Sequence, residues 1–239
     1  MSTNLSHQIQ LQSFPDPAAL AASLAETIAN DLRTALAARG HASLALSGGN
    51  TPKRFLQALS QESLSWRNVV VTLVDERWVP ESNERSNARL LRENLLCGAA
   101  AGARFLPLYR DTPGPEQALA EIERDLARLP LPFDALVLGM GNDGHTASFF
   151  PGGDRLAEAL DPATTARVLP MRAPDAGEPR ITLTLRTILA ARHLYLHIEG
   201  AAKLRVLEDA VTATGAGAGY PMRSVLRHAA LPMQVFYSA

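Results

Sequence analysis

Short apolar segments alternate with longer amphipathic segments along this 239-residue chain. The clearest apolar segment, residues 69–74, reads Val-Val-Val-Thr-Leu-Val and is therefore almost entirely β-branched. Such a composition is typical of a strand that is buried on both of its faces. Strands of this kind that alternate with helices predict an α/β fold, in which helices cover both faces of a mainly parallel sheet. We therefore predict a Rossmann-like architecture.

The same alternation predicts the individual elements. Strands are expected at 7–12, 43–46, 69–74, 135–138, 181–185, 193–198 and 233–237. Helices are expected at 17–38, 52–59, 86–96, 117–129, 201–211 and 221–227, and Asp16 is the expected N-cap of the first helix. The segments at 173–179 and 212–219 are typical of loops and not of domain linkers. Residues 1–239 are therefore expected to form a single domain.

Composition and charge exclude several classes of protein. Hydrophobic residues make up 46% of the chain and the net charge is −1, so a core can form but no basic field attracts nucleic acid. No segment approaches the roughly 20 apolar residues that span a membrane, and no secretory signal is apparent. Cys97 is the only cysteine, and the six histidines lack metal-ligand spacing. We expect a cytoplasmic protein that binds no nucleic acid, membrane or metal.

A glycine-rich turn directly follows the fourth predicted strand. Gly139, Gly141 and Gly144 allow the backbone to turn sharply and to approach a ligand closely. Asp143 and His145 lie in this turn, which places a carboxylate near an acid–base imidazole. Open α/β sheets bind their ligands beside the carboxyl ends of the strands, where such turns lie. The turn is a candidate active site, although Asn-Asp-Gly is also a common surface turn in which a following histidine is simply solvated.

A second strand–turn–helix element has the features of a phosphate site. It contains consecutively Ser47, Gly48, Gly49, Asn50 and Thr51, and a proline follows that opens the next helix. Small residues before a helix N-terminus leave free N–H groups that suit an anion, and Thr51 is the expected N-cap. A plain turn that needs glycine for its geometry is the alternative. Neither glycine-rich turn has the pattern of a nucleoside triphosphate or dinucleotide site, so no nucleotide cofactor is expected.

Three charged residues, Asp75, Glu76 and Arg77, follow directly after the β-branched strand. Turns favour Gly, Asn, Pro and Ser, so consecutive charges at this point indicate a strand end that faces a polar cleft. Ser86 and Asn87 open the next predicted helix. A structural role as the N-cap of this helix is an alternative explanation for Ser86.

Taken together, these segments resemble the 6-phosphogluconolactonase family, which shares a superfamily with the glucosamine-6-phosphate isomerases and deaminases. The glycine turn lies in the string Leu-Gly-Met-Gly-Asn-Asp-Gly-His-Thr-Ala-Ser-Phe-Phe-Pro-Gly at 138–152. The Ser-Gly-Gly-Asn-Thr-Pro loop, the Asp-Glu-Arg motif with its Ser-Asn pair, and the Gly-Ala-Ala-Lys pattern that ends at Lys203 match the family as well. Arg180, in Pro-Arg-Ile-Thr, matches a further family element. The segments follow the family's order and cover most of the chain.

The resemblance implies an enzyme that hydrolyses 6-phospho-D-glucono-1,5-lactone to 6-phospho-D-gluconate, the second step of the oxidative pentose phosphate pathway. His145 would act as base for water and then as acid for the ring oxygen, since a histidine pKa near 6.5 allows both roles. Asp143 would orient the imidazole, and Arg77 would stabilise developing charge. The expected substrate- and phosphate-binding residues are Ser47, Gly48, Gly49, Asn50, Thr51, Asp75, Ser86, Asn87, Gly141, Arg180 and Lys203. No metal or organic cofactor is implied, because a lactone is already an activated ester.

Two other functions remain as alternatives. The isomerases and deaminases carry Asp-Gly-His-Ile-Ala-Phe-Asn-Glu-Pro, in which the glutamate works with the histidine and falls at Phe150 here. A phenyl ring cannot transfer a proton, so this departure favours the lactonase. A non-catalytic sugar-phosphate sensor of the superfamily usually carries an added DNA-binding domain, and the intact pair of Asp143 and His145 favours an enzyme. The expected partner is a small sugar phosphate, and the sequence does not indicate an oligomeric state.

Overall fold

The computed structural model describes residues 4–174 and 176–239, and these residues form ten strands and eight α-helices. The strands are β1 (Ile9–Phe14), β2 (Ala42–Leu46), β3 (Val69–Leu73), β4 (Asp75–Arg77), β5 (Arg104–Leu106), β6 (Ala135–Leu138), β7 (Val168–Met171), β8 (Arg180–Leu183), β9 (Leu194–Glu199) and β10 (Met233–Ser238). The helices are α1 (Pro17–Arg39), α2 (Lys53–Ser60), α3 (Asn87–Asn94), α4 (Pro115–Ala127), α5 (Leu156–Ala159), α6 (Leu185–Leu189), α7 (Ala201–Thr212) and α8 (Pro221–His228).

Seven strands form one sheet in the order β1-β10-β9-β6-β2-β3-β5, and every neighbouring pair in it is parallel. The chain moves toward one edge of this sheet between β2 and β3, and toward the other edge between β6 and β9. Because β-α-β crossovers are right-handed, this reversal of direction places helices on both faces. The predicted α/β fold is confirmed.

Burial explains why the central strands form where they do. Every residue of β2, β3 and β6 is buried, as their continuous apolar sequences require. The long helix α1 packs a stripe of residues spaced by four into the same core: Leu20, Leu24, Ile28 and Leu32. Burial of each such side chain stabilises the fold by about 1.5–3 kcal/mol relative to exposure. Asp16 caps α1 as predicted, and its carboxylate accepts two backbone N–H groups of the first turn.

A separate three-stranded antiparallel sheet, in the order β4-β8-β7, is not predicted by the sequence. The segment predicted at 181–185 does form a strand, β8, but this strand belongs to the small sheet and not to the large one. Asp75 pairs with Thr182, and Arg77 pairs with Arg180. The charged motif after β3 is therefore a strand in its own right. The apolar pattern of a strand does not specify which sheet it joins.

The remaining differences from the predicted elements are local. The first strand begins at Ile9 and not at residue 7, and the short strands β5 and β7 have no predicted counterpart. The predicted loop at 212–219 contains a 3-10 helix, Gly215–Gly219. Of the predicted loop at 173–179, residue 175 lies outside the described residues. In the ranges 4–174 and 176–239, no helix has the length and hydropathy needed to cross a membrane.

The parallel strands β2, β3, β6 and β9 place their carboxyl ends along the same side of the large sheet. β2 and β6 are neighbours there, although the chain leaves them toward opposite edges. The backbone N–H of Ser47 donates to the carbonyl oxygen of Val137 across this junction at 3.0 Å. Open α/β sheets bind ligands at such a switch point, where the two departing connections leave a crevice.

Candidate active site

A cavity of about 210 Å³ opens at the junction of β2 and β6. Of the site residues predicted from sequence, only Ser86 and Asp143 do not line it. Those that line it are Ser47, Gly48, Gly49, Asn50, Thr51, Asp75, Arg77, Asn87, Gly141, His145, Arg180 and Lys203. Segments that are far apart in the sequence thus meet around one crevice.

His145 and Asp143 form a hydrogen-bonded pair beside this cavity. Nδ1 of His145 lies 2.5 Å from Oδ1 of Asp143, and the imidazole side chain is 31% exposed. The hydrogen bond with His145 lowers the pKa of Asp143, against the opposing effect of burial. An ionised carboxylate on Nδ1 favours the tautomer that carries its proton there. Nε2 then holds the lone pair that a general base requires.

Two glycines of the turn make room for this arrangement. A Cβ on Gly141 would lie 2.2 Å from Nδ1 of His145, so a larger residue would displace the imidazole. Gly144 adopts a φ of +74°, and a Cβ there would lie 2.2 Å from the ring of Tyr220. The N–H of Gly141 closes the turn by donating to the carbonyl oxygen of His145 at 2.9 Å. Glycine at 141 and 144 is therefore a steric requirement of the site.

Phe150 contacts both the imidazole and a buried cation. Its ring centroid lies 4.5 Å from that of His145, and the guanidinium carbon of Arg180 lies 5.3 Å from the Phe150 ring centroid. Burial lowers the pKa of Arg180, whose Nη2 donates to the carbonyl oxygen of Ala176 at 2.7 Å. Nε of Arg180 is buried and has no hydrogen-bond partner among the residues that the structure describes. This arginine therefore retains a free donor for an anion.

The loop between β2 and α2 offers further free polar groups. Gly49 adopts a φ of +96°, which favours glycine. A Cβ on Gly48 would lie 1.9 Å from Oδ1 of Asn87, so only glycine allows the loop to approach this side chain. Oγ of Ser47 and Oδ1 of Asn87 are buried without a hydrogen-bond partner in the described part of the chain. Such unpaired groups are costly unless a ligand satisfies them.

Thr51 is not the N-cap of α2, contrary to the prediction. The helix begins at Lys53 with Pro52 at the cap position, and no side chain caps it. The hydroxyl of Thr51 instead accepts a hydrogen bond from Nζ of Lys203 at 3.2 Å. Burial lowers the pKa of Lys203, against the attraction of Glu199. The local sequence cannot reveal this use of Thr51, because its partner lies 152 residues away.

The short strand β4 presents two charged side chains to the cavity. Oδ2 of Asp75 accepts a hydrogen bond from Oγ of Ser148 at 2.6 Å, which connects β4 to the segment after the turn that contains Asp143 and His145. Nη1 of Arg77 donates to the carbonyl oxygen of Arg85 at 2.6 Å. Nε of Arg77 is buried without a partner within the described ranges. Arg77 therefore lines the cavity with its guanidinium anchored through Nη1 and its Nε–H unpaired among the described residues.

Glu76, which is not among the predicted site residues, connects β4 to the start of α3. Its fully buried carboxylate accepts backbone N–H groups from Arg77 at 2.8 Å, Asn87 at 2.8 Å and Ala88 at 2.7 Å. Ser86 is the N-cap of α3, since its Oγ accepts the N–H of Arg89 at 3.2 Å. The capping role accounts for the position of Ser86 outside the cavity. Asn87, one residue on, reaches the cavity wall.

His197 on β9 also lines the cavity and was not predicted as a site residue. A histidine within an apolar strand has the sequence signature of a core residue, and no local motif distinguishes it. The other cavity-lining residues that the sequence does not predict are apolar, and examples are Leu46, Phe55, Met140 and Phe150. Among residues 4–174 and 176–239, no group of three or more His, Cys, Asp or Glu side chains is placed to hold a metal ion.

An imidazole paired with a carboxylate, beside a cavity lined by a glycine-rich loop and buried cations, is the arrangement expected of an α/β enzyme that acts on an anionic substrate. A model of the family described as glucosamine-6-phosphate isomerases/6-phosphogluconolactonase matches residues 15–233. The chain belongs to this family.

Relatives within the family are similar over nearly the full chain. A 6-phosphogluconolactonase of Rhizobium meliloti is 52% identical over 225 residues, which is 94% of this chain and 97% of the relative. A 6-phosphogluconolactonase of Pseudomonas aeruginosa is 47% identical over 219 residues, 92% of each chain. The crystal structure of a 6-phosphogluconolactonase from Shewanella baltica superposes with a TM-score of 0.94 at 41% identity and covers 99% of this chain and 100% of that one.

Proposed function

We propose that this chain is a 6-phosphogluconolactonase, which hydrolyses 6-phospho-D-glucono-1,5-lactone to 6-phospho-D-gluconate in the oxidative pentose phosphate pathway. The observation that carries the proposal is the hydrogen bond between Nδ1 of His145 and Oδ1 of Asp143, 2.5 Å apart, beside a cavity that the 47–51 loop also lines. The names of relatives that share up to 52% identity support the same reaction.

The proposed mechanism uses one imidazole twice. Nε2 of His145 takes a proton from water as the water oxygen attacks the carbonyl carbon C1 of the lactone. The tetrahedral intermediate then collapses with cleavage of the bond between C1 and the ring oxygen, and His145 returns the proton to that oxygen. Asp143 holds the Nδ1–H tautomer and stabilises the imidazolium between the two steps. Acid–base catalysis of this kind typically contributes about 10²- to 10⁴-fold.

Positive charge and free N–H groups supply the rest of the site. We assign the stabilisation of the oxyanion to Arg77, whose anchored guanidinium retains a buried donor. The substrate phosphate, with a charge of about −1.5 to −2, is assigned to the 47–51 loop with Arg180 and Lys203. Asp75 and Asn87 contact the lactone hydroxyl groups or hold the loop in place, since both line the cavity. The lactone carbonyl is an activated ester, so these residues suffice for the reaction without a metal or cofactor.

Phe150 argues against the isomerase and deaminase reaction of the same family. Those enzymes need a second proton-transfer group at this position, and a phenyl ring packed against His145 at 4.5 Å between centroids cannot provide one. The hydrogen-bonded pair at Asp143 and His145 also argues against a purely sugar-phosphate-sensing role.

We further propose that residues 1–239 act as one domain in the cytoplasm, with a small sugar phosphate as the ligand and no nucleic-acid partner. The contiguous hydrophobic core beneath the site supports one domain. The net charge of −1 supports the absence of nucleic-acid binding, and the free Cys97 is compatible with a reducing compartment.

The experiment that tests the proposed function is proton release on addition of the protein to freshly generated 6-phosphogluconolactone. Unphosphorylated gluconolactone is measured in parallel, and glucosamine 6-phosphate is tested for deamination. Acidification well above the spontaneous rate, confined to the phosphorylated lactone, is the expected result. A rate equal to the spontaneous hydrolysis would overturn the assignment, and ammonia release would identify the isomerase/deaminase reaction instead.

A further inference from the structure

His197 is a buried histidine with one ring nitrogen unpaired. It lies on β9 with 2% of its surface exposed, and its Nε2 is 3.0 Å from Oε1 of Glu199. Its Nδ1 is buried and has no hydrogen-bond partner among the residues that the structure describes. His197 nevertheless lines the cavity that holds the predicted phosphate loop. A buried, unpaired ring nitrogen in a polar cavity costs stability unless a ligand or water satisfies it.

The surroundings of His197 place it beside the phosphate loop. Its ring packs edge-on against Phe55 of α2 at 6.0 Å between centroids, one turn after Thr51. The hydroxyl of Thr51 receives the Nζ–H of Lys203, which lies in the first turn of α7. The charged groups that act on the imidazole are Glu199 of its own strand and Lys203, and their effects oppose each other. Burial lowers the pKa of His197, so the ring is neutral in the free protein near pH 7.

We propose that His197 binds the phosphate of the substrate: the ring takes up a proton from water when the phosphate enters, and Nδ1–H then donates to a phosphate oxygen while Nε2–H donates to Glu199. This inference rests on the proposed function, because it takes the ligand of the 47–51 loop to be a sugar phosphate. It adds a third cationic group to Arg180 and Lys203.

Hydrogen-bond chemistry requires the proton uptake. A neutral ring that donates Nε2–H to Glu199 presents a lone pair at Nδ1, and a lone pair repels a phosphate oxygen. Protonation converts Nδ1 into a donor, and the carboxylate of Glu199 already stabilises the resulting imidazolium. An anion within about 4–6 Å raises the pKa of a neighbouring cation by about 1–3 units, and this effect opposes that of burial. The phosphate and the proton therefore bind cooperatively.

The direct test is a pH titration of His197 by NMR, with and without 6-phosphogluconate. The Cε1–H and ring 15N signals are assigned through the backbone, and gluconate and inorganic phosphate serve as further ligands. We expect the midpoint of the His197 titration to rise by at least one pH unit with 6-phosphogluconate or inorganic phosphate and to remain unchanged with gluconate. A ring that stays neutral with phosphate bound would overturn the proposal and would show that Nδ1 is satisfied by water or by a structural contact.

Variants provide a second readout. His197→Gln retains a polar side chain but cannot become cationic. The matched control is His193→Gln, at an exposed position directly before β9. For His197→Gln we expect affinity for 6-phosphogluconate to fall roughly 5- to 20-fold and to depend less steeply on pH between pH 6 and 8 than in the wild type, since only the titration of the phosphate itself remains. Turnover at saturation should change by less than about threefold. Unchanged affinity in a folded variant would contradict the proposal. If His197→Gln does not fold, the titration of the wild-type protein still decides.

These outcomes separate the two proposals. A protein that hydrolyses the lactone while His197 does not titrate with phosphate leaves the proposed function intact and removes the inference. A protein that shows the phosphate-linked titration but does not accelerate lactone hydrolysis retains the phosphate site and loses the lactonase assignment.

Discussion

Replacement of Glu76 by glutamine should change how the stability of the fold depends on pH. The side chain is fully buried, and burial raises its pKa from 4.5 to about 7, although three backbone N–H donors favour the carboxylate. In the unfolded chain the same group has an ordinary carboxyl pKa. Between pH 4.5 and 7 the folded state therefore binds more protons than the unfolded state. By linkage, stability must fall as the pH rises through this window.

The size of the effect follows from the two pKa values. A difference of about 2.5 units corresponds to roughly 3 kcal/mol at 1.36 kcal/mol per unit. Because the unfolded group is already partly ionised at pH 5, about 2–3 kcal/mol of this should be lost between pH 5 and pH 8. Glu76→Gln cannot titrate, so it lacks this loss. At pH 5 the free energy of unfolding of the variant is similar to that of the wild type or lower. As the pH rises, the free energy of unfolding of the wild type falls relative to that of the variant.

Urea unfolding at pH 5, 6, 7 and 8 measures the difference directly. The free energy of unfolding of Glu76→Gln minus that of the wild type should rise by about 2–3 kcal/mol from pH 5 to pH 8. Glu84→Gln, at an exposed position eight residues away, is the matched control. A difference for Glu76→Gln that stays constant within about 0.5 kcal/mol would refute the reasoning, because it would mean that Glu76 keeps one protonation state throughout.

Three further substitutions address the site. Asp143→Asn removes the carboxylate that fixes the tautomer of the His145 imidazole. Turnover in a steady-state lactonase assay should therefore fall by roughly 10²- to 10⁴-fold. A loss under threefold would contradict the role of Asp143. Gly48→Ala places a Cβ 1.9 Å from Oδ1 of Asn87, so it should lower the free energy of unfolding in urea by about 1–3 kcal/mol and raise KM. Gly139→Ala, whose Cβ would have its nearest contact at 4.0 Å, should lower the free energy of unfolding by less. Equal losses in the two variants would exclude the steric argument. Arg180→Ala should raise KM more than it lowers kcat, and an unchanged KM would show a structural role.

Local patterns predict those parts of the fold that local physics determines. The predicted strand at 135–138 coincides with β6, because a continuous apolar run between turn signals specifies a buried strand. The predicted cap at Asp16 is observed, since capping depends only on neighbours within one turn. Asp143 and His145 lie two residues apart in the glycine turn that follows β6, so the sequence alone indicates that they can pair, and they do so in the structure.

Contacts between distant residues are beyond such patterns. The hydroxyl of Thr51 accepts a hydrogen bond from Lys203, which is 152 residues away, and Ser148 donates to Asp75 from 73 residues away. The small antiparallel sheet depends on pairing between β4 and β8, which are separated by about a hundred residues in sequence and have no distinguishing apolar period. His197 belongs to the same category, because its strand sequence is that of a core residue and only the folded cavity reveals its unpaired nitrogen.

The most direct test of the proposed mechanism is the turnover of His145→Asn with saturating 6-phosphogluconolactone, with His41→Asn at the opposite end of the sheet as the control. Removal of the acid–base imidazole should lower kcat by at least about a hundredfold. The affinity for 6-phosphogluconate should remain within about twofold, because the phosphate loop is unchanged, and His41→Asn should retain full turnover. A folded His145→Asn protein whose turnover stays within a few-fold of the wild type would contradict the assignment of His145 as the catalytic base.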